Sequence, residues 1–154
     1  MTVNPIPEGS HTITPFLCIK DAHKAVEFYK KAFGAIEMLR ISSPSGHIGQ
    51  AELRIGDSTL LIADPTGMED GLTATQNLAT PAIAVRLYVE DCDKVYAQAL
   101  QAGATETNPV QDQFYGDRSG SLKDPFGNLW FISTHKEDLT LEEIRNRAQA
   151  LLND

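Results

Sequence analysis

The chain has 154 residues, with thirteen Lys and Arg against twenty-one Asp and Glu, a formal net charge of -8 and a pI near 4.9. A hydrophobic fraction of 42%, a charged fraction of 22% and a mean hydropathy of -0.24 describe an ordinary globular composition and exclude disordered, collagen-like and coiled-coil chains. No run approaches the ~20 apolar residues of a membrane span, and an acidic surface repels polyphosphate and anionic lipid, so neither a nucleic-acid nor a membrane partner is expected.

Residues Met1 to Ser10 hold two prolines and no basic cluster ahead of an apolar run; they read as an extended arm, not a signal peptide. Cys18 and Cys92 share no CxxC or Cys/His spacing. Free thiols in a reducing cytoplasm are the expectation. Thr12 to Lys20 is rich in β-formers and predicts a strand. Asp21 then caps a helix over 23–33, with Ala25, Val26, Tyr29, Ala32 and Phe33 on one face and Gly34 closing it. Ile36–Ser42, Ile48–Ile55 and Ser58–Ala63 alternate as strands, split by the Pro44-Ser45-Gly46 and Gly56-Asp57 turns. Asp64 to Thr80 reads as a mobile linker.

The second half repeats this grammar seventy positions on: Asp21 maps to Asp91, Lys24 to Lys94, and Leu60-Leu61-Ile62 to Trp130-Phe131-Ile132. Strands are predicted over 83–90, 105–110, 118–123 and 128–134, with a helix over 91–102. Finally Thr140-Leu-Glu-Glu143 is a capping box, with Leu139 and Ile144 as its hydrophobic staple. Ile144, Ala148, Leu151 and Leu152 form a stripe that must dock, since a helix this short is marginal alone. The expected fold class is α+β: two tandem βαβββ modules, 11–64 and 82–135, and a C-terminal helix over 139–152, in one domain spanning 1–154.

Tandem units of this kind resemble the vicinal-oxygen-chelate superfamily of glyoxalase I, fosfomycin-resistance enzymes, extradiol dioxygenases and bleomycin-resistance proteins. Tyr115-Gly-Asp-Arg118, Asp124-Pro-Phe-Gly-Asn128 and Thr134-His-Lys-Glu-Asp138 resemble its PhnB-like branch. The resemblance implies a cupped mixed sheet with a ligand in the cup, and a homodimer. It also implies where metal-using members carry His, Gln or Glu ligands: here those positions fall on Thr14, Leu61, Ala84 and Phe131. The last three cannot ligate, so no metal and no other cofactor is expected. A substitute set could come from Gln50 and Glu52, on one face of a strand, with one of His11, His23, His47 or His135.

If Thr14 and Ala84 face inward, a period of two brings Phe16, Cys18, Arg86 and Tyr88 to the same face, joined by Gln50, Glu52, Phe131 and Ser133. Arg86 there needs a partner, either Glu52 or an anionic ligand. Asp117, Arg118 and His135 allow two readings. In one, Asp117 caps a turn, Arg118 pairs with Asp117 or Asp124, and His135 bonds a loop carbonyl. In the other, Arg118 reaches an anionic ligand and His135 titrates near neutral pH. Trp130 is expected in the core. The candidate ligand-binding set is Phe16, Gln50, Glu52, Arg86, Tyr88, Arg118 and Phe131. The chemistry that fits it is metal-independent binding or sequestration of a small molecule, aromatic or amphipathic. The alternatives are a lyase, isomerase or dioxygenase with a non-standard metal set, and an interaction module without a ligand.

Overall fold

Alternating side chains in the first half close into a four-stranded mixed sheet. Its strands are β1 (Phe16–Cys18), β2 (Ile36–Ser42), β3 (Ile48–Ile55) and β4 (Ser58–Ala63), in the order β1-β4-β3-β2. β1 runs parallel to β4 and the other pairs are antiparallel. Between β1 and β2 the helix α1 (Ala22–Phe33) buries Ala25, Val26, Tyr29 and Ala32 against the face of the sheet that carries Ala51, Leu53 and Ile62. The computed structural model describes residues 3–65 and 83–152, and almost all of the expected linker lies outside them. The chain divides into two compact units, Met1–Thr80 and Pro81–Asp154.

Three expectations for the first unit change. The first strand is three residues rather than nine, because Pro15 has no amide to extend the ladder, although its carbonyl still accepts the Leu61 amide at 3.0 Å. Asp21 does not cap α1: it sits in the left-handed region at φ 66 and pairs with Lys24 at 3.1 Å. The capping oxygen comes instead from Asp64, which belongs to the structure and not to the linker. It is buried and accepts the Ala22 amide at 3.0 Å and the Ile48 amide at 2.7 Å.

The second unit has β5 (Ala84–Tyr88), α2 (Cys92–Ala102), β6 (Thr105–Asp112), β7 (Asp117–Lys123) and β8 (Leu129–His135). Its sheet order is β5-β8-β7-β6, with β5 parallel to β8. Asp91 does cap its helix, accepting the Lys94 amide at 3.1 Å. Thr134, seventy positions after Asp64, takes over that residue's duty and accepts the Cys92 amide at 2.9 Å. The architecture is α+β, two four-stranded mixed sheets of one βαβββ plan.

Two of the family-like motifs are structural in part. Asp124 is a hub: it accepts the Phe126 and Asn128 amides and the Trp130 indole N–H, each at 2.9 Å, and Trp130 is 1% exposed. Gly116 adopts φ 95, and a Cβ there would stand 2.6 Å from the Glu137 carbonyl oxygen. Only glycine lets the turn approach that closely.

The tail helix α3 (Leu141–Leu152) begins with the expected capping box: Glu143 accepts the Thr140 amide at 2.7 Å, and Thr140 Oγ1 accepts the Glu143 amide at 3.2 Å. Arg147 anchors it through Glu137, at 3.1 Å, and the Phe114 carbonyl. Its apolar stripe does not sink into its own unit. No residue of α3 is buried, and Leu141, Leu151 and Leu152 are exposed.

Candidate functional site

The second sheet has two unlike faces. α2 covers the one carrying Trp130, Ile132 and Leu122 and leaves the other uncovered. Its cross-strand register lays side chains in rows: Arg86 beside Phe131 and Ser121, Tyr88 beside Ser133 and Ser119, and Asp117 beside His135. Alternation therefore explains why Arg86, Tyr88 and Phe131 come together. Arg86 stands with its guanidinium carbon 4.9 Å from the Phe131 ring centroid and 5.6 Å from that of Tyr115, a cation–π arrangement. Its Nη1 donates to Ser133 Oγ at 3.0 Å and to the Tyr115 hydroxyl at 3.3 Å.

Asp117 is the electrostatic centre of this face. It is 4% exposed and so must be compensated. The Tyr88 hydroxyl donates to its Oδ2 at 2.7 Å, His135 Nδ1 lies 2.9 Å from its Oδ1, and Arg86 Nη1 stands 3.8 Å away. The bond to Asp117, followed by burial, raises the Tyr88 pKa. His135 is raised above 6.5 by Asp117 first and then by Asp138, which meets its Nε2 at 2.8 Å. Both imidazole nitrogens are thus engaged by carboxylates, an arrangement that favours the charged ring and leaves no bare nitrogen to accept a proton. Within its own unit Arg86 stands 3.8 Å from the Asp117 carboxylate, beyond hydrogen-bond reach, and His135 bonds carboxylates rather than a loop carbonyl.

Arg118 does not join this face. It is one residue out of phase, on the helix side of β7, where it holds Asp93 at the start of α2 (2.8 Å) and Asp112 (3.2 Å). Neither Asp117 nor Asp124 is its partner, and those two carboxylates hold it firmly cationic. A single-residue step in a strand exchanges the two faces.

Residues the sequence did not single out complete the site. Asn108, Gln111, Gln113, Tyr115 and Ser119 join the expected Phe131 in lining a pocket of about 190 Å³. Ser119 is foreseeable as the register partner of Ser133. The amides are not, because β6 slips register twice, between Glu106 and Asn108 and again before Gln111. Tyr115 lies in the turn ahead of β7, where no periodicity applies.

On the first sheet the open face carries Phe16, paired in register with Leu61, and Glu52, which also pairs with Leu61. Gln50 and Glu52 are half-buried, while Ala51 and Leu53 between and beside them are fully buried under α1. Of the positions that the resemblance assigns to metal ligands, Leu61 in the first unit and Ala84 and Phe131 in the second carry hydrocarbon, which offers no oxygen, nitrogen or sulfur donor. The histidines of this unit are placed elsewhere. His11 lies 3.5 Å from Asp57, and His23 reaches Arg40 on the helix side, while His47 sits in the β2–β3 turn. Among the described residues, no three or more His, Cys, Asp or Glu side chains gather in a group able to hold a metal ion. No helix among them is long and apolar enough to cross a membrane.

Comparison with known proteins agrees with this architecture. An uncharacterized protein of Mycobacterium bovis is 35% identical over 148 residues, which is 94% of each chain. The crystal structure of TioX from Micromonospora superimposes with a TM-score of 0.66 at 26% identity, covering 81% of this chain and 98% of that one. TnmS3, an antibiotic binding protein from Streptomyces, shares the fold with a TM-score of 0.61 at 18% identity, over 82% of this chain and 96% of its own. The family model of the Glyoxalase/Bleomycin resistance protein/Dioxygenase superfamily matches residues 10–132, and the chain belongs to that superfamily.

Proposed function

We propose that this protein binds a small organic molecule on the open face of its second sheet without a metal, and that its role is capture rather than turnover. The observation that carries this is the pocket itself. Two aromatic rings, Tyr115 and Phe131, stand beside amide and hydroxyl side chains in about 190 Å³, the make-up of a small-molecule site. Drug-sized ligands fill roughly 300–1,000 Å³, so the part seated here is compact. Arg86 and Tyr88 orient it from one side, and Phe16, Gln50 and Glu52 form the corresponding open face of the first unit. TnmS3, which shares the fold, is described as an antibiotic binding protein. The same reading takes the chain as PhnB-like, cytoplasmic and homodimeric; sedimentation equilibrium reads the last.

The test is a melting-temperature screen of the full chain against planar aromatic compounds and against Ni²⁺, Zn²⁺, Mn²⁺ and Fe²⁺ in turn. Stabilisation by an aromatic compound, lost in Phe131→Ala, supports the reading. Binding of a metal near one equivalent per chain, with no response to any aromatic compound, overturns it.

A further inference from the structure

The hydrogen bonds of Arg86 are lopsided. Every contact among the described residues uses Nη1: Ser133 at 3.0 Å, Tyr115 at 3.3 Å and, more distantly, Asp117 at 3.8 Å. Nε and Nη2, the two N–H groups that point the same way along the other edge of the guanidinium, have no partner there. The side chain is 34% exposed, and these two N–H groups are the ones left over for a ligand. Its direction is fixed, because the plane stands over Phe131 and Tyr115 and Nη1 is tied down. A paired, parallel set of donors matches the two oxygens of a carboxylate and is wasted on a single carbonyl. A cationic ligand would meet the guanidinium itself.

The charge balance points the same way. Asp117 gives its two oxygens to Tyr88 and His135 at 2.7 and 2.9 Å and meets Arg86 only at 3.8 Å. Arg86 is therefore only loosely neutralised. We infer that the molecule held on this face is an aromatic carboxylate of one ring. Its acid group lies side-on to Arg86 through Nε and Nη2, and its ring lies along Tyr115 and Phe131. This deepens the capture function proposed above and rests on it. Gln111, whose side chain has no bond among the described residues, lines the same pocket and suits a hydroxyl or amino substituent on the ring.

Anthranilate, its neutral counterpart anthranilamide and inorganic phosphate serve as probes, titrated against the full chain by fluorescence and calorimetry. Anthranilate is expected to bind about tenfold or more tighter than anthranilamide, since a charge-assisted fork replaces a neutral contact. Arg86→Gln should erase that preference, and Arg86→Lys should lose most of it. Equal binding of acid and amide to the wild-type chain overturns the carboxylate assignment and leaves the capture function standing. Phosphate competing as well as anthranilate overturns it too, by showing an oxyanion site indifferent to the ring. Binding of none of the three overturns the carboxylate assignment, while the capture function is decided by the wider aromatic and metal screen. The wild-type comparison decides the matter even if the Arg86 variants fold poorly.

Discussion

Thr134 relays a hydrogen bond between Cys92 and Val89: its hydroxyl accepts the Cys92 amide at 2.9 Å and donates to the Val89 carbonyl at 2.8 Å, closing the start of α2 onto β8. In the first unit the Asp64 carboxylate meets the Ala22 amide at the matching place. The duplicated plan therefore survives in a buried polar contact whose chemistry has drifted from carboxylate to hydroxyl. Replacing Thr134 by Val strands a buried donor and a half-buried acceptor. The expected loss is about 1–3 kcal/mol in the urea-unfolding free energy, with Thr134→Ser retaining most of the stability.

Gly120 is a packing requirement rather than a turn. A Cβ there would fall 2.8 Å from Val110 Cγ2 and 2.9 Å from both the Val110 nitrogen and Tyr96 Cε2. The nitrogen is main chain and cannot swing aside. The Tyr96 ring is pinned as well, since its hydroxyl lies 2.9 Å from the Asn108 carbonyl oxygen and 3.1 Å from that of Ser121. Burial and then Glu106 push that phenol up to about 12. Gly120→Ala should cost about 1–3 kcal/mol, read as a lower unfolding midpoint.

His135 gives the second unit a pH dependence of definite sign. Its pKa is raised in the folded state by Asp117 and Asp138 above the ordinary 6.5. The native state thus binds the proton more tightly than the unfolded chain does. The stabilisation is fully present below pH ~6.5 and is lost as pH climbs through the raised value. The unfolding midpoint should fall across that window in the wild type and stay flatter in His135→Gln. A midpoint that rises there would contradict the assignment. Imidazole proton shifts followed by NMR provide the direct titration.

Arg118 and Phe131 are neighbours in the family-like motif region yet serve opposite faces. Arg118→Ala should leave the affinity for an aromatic probe unchanged while loosening the start of α2, whose Asp93 it holds. Phe131→Ala should weaken the same probe by roughly tenfold, the value of about one lost aromatic contact. Calorimetry on both variants separates the two roles.

Asp91 and Asp21 occupy the same place in the repeat but should differ when changed. Asp91 caps α2 through the Lys94 amide, so Asp91→Ala should cost about 0.5–2 kcal/mol. Asp21 caps nothing and sits at φ 66, where glycine is cheaper. Asp21→Gly should be neutral or stabilising by thermal denaturation.

The order of strands and helices was legible in the chain because it is local. Period-two alternation, a 3.6-residue apolar stripe, Gly34 after α1 and the Thr140–Glu143 box each act over a few residues, and the seventy-residue offset exposed the duplication. The alternation of β5 and β8 likewise assigned Arg86, Tyr88 and Phe131 to one face. What the sequence missed lies where local periodicity stops. Tyr115 is in a turn, Gln111 follows two slips of register in β6, and Arg118 is one step out of phase with Asp117. Asp64 looked like linker because its partners, Ala22 and Ile48, are 42 and 16 residues away. The sequence by itself determined the order of strands and helices and the repeat that relates the two units. Only the tertiary structure decided that Asp117 would be buried between Tyr88, His135 and Arg86, and that Arg86 would spend Nη1 on Ser133 and Tyr115. Those facts depend on how distant strands register against one another, and register is a property of the assembled sheet.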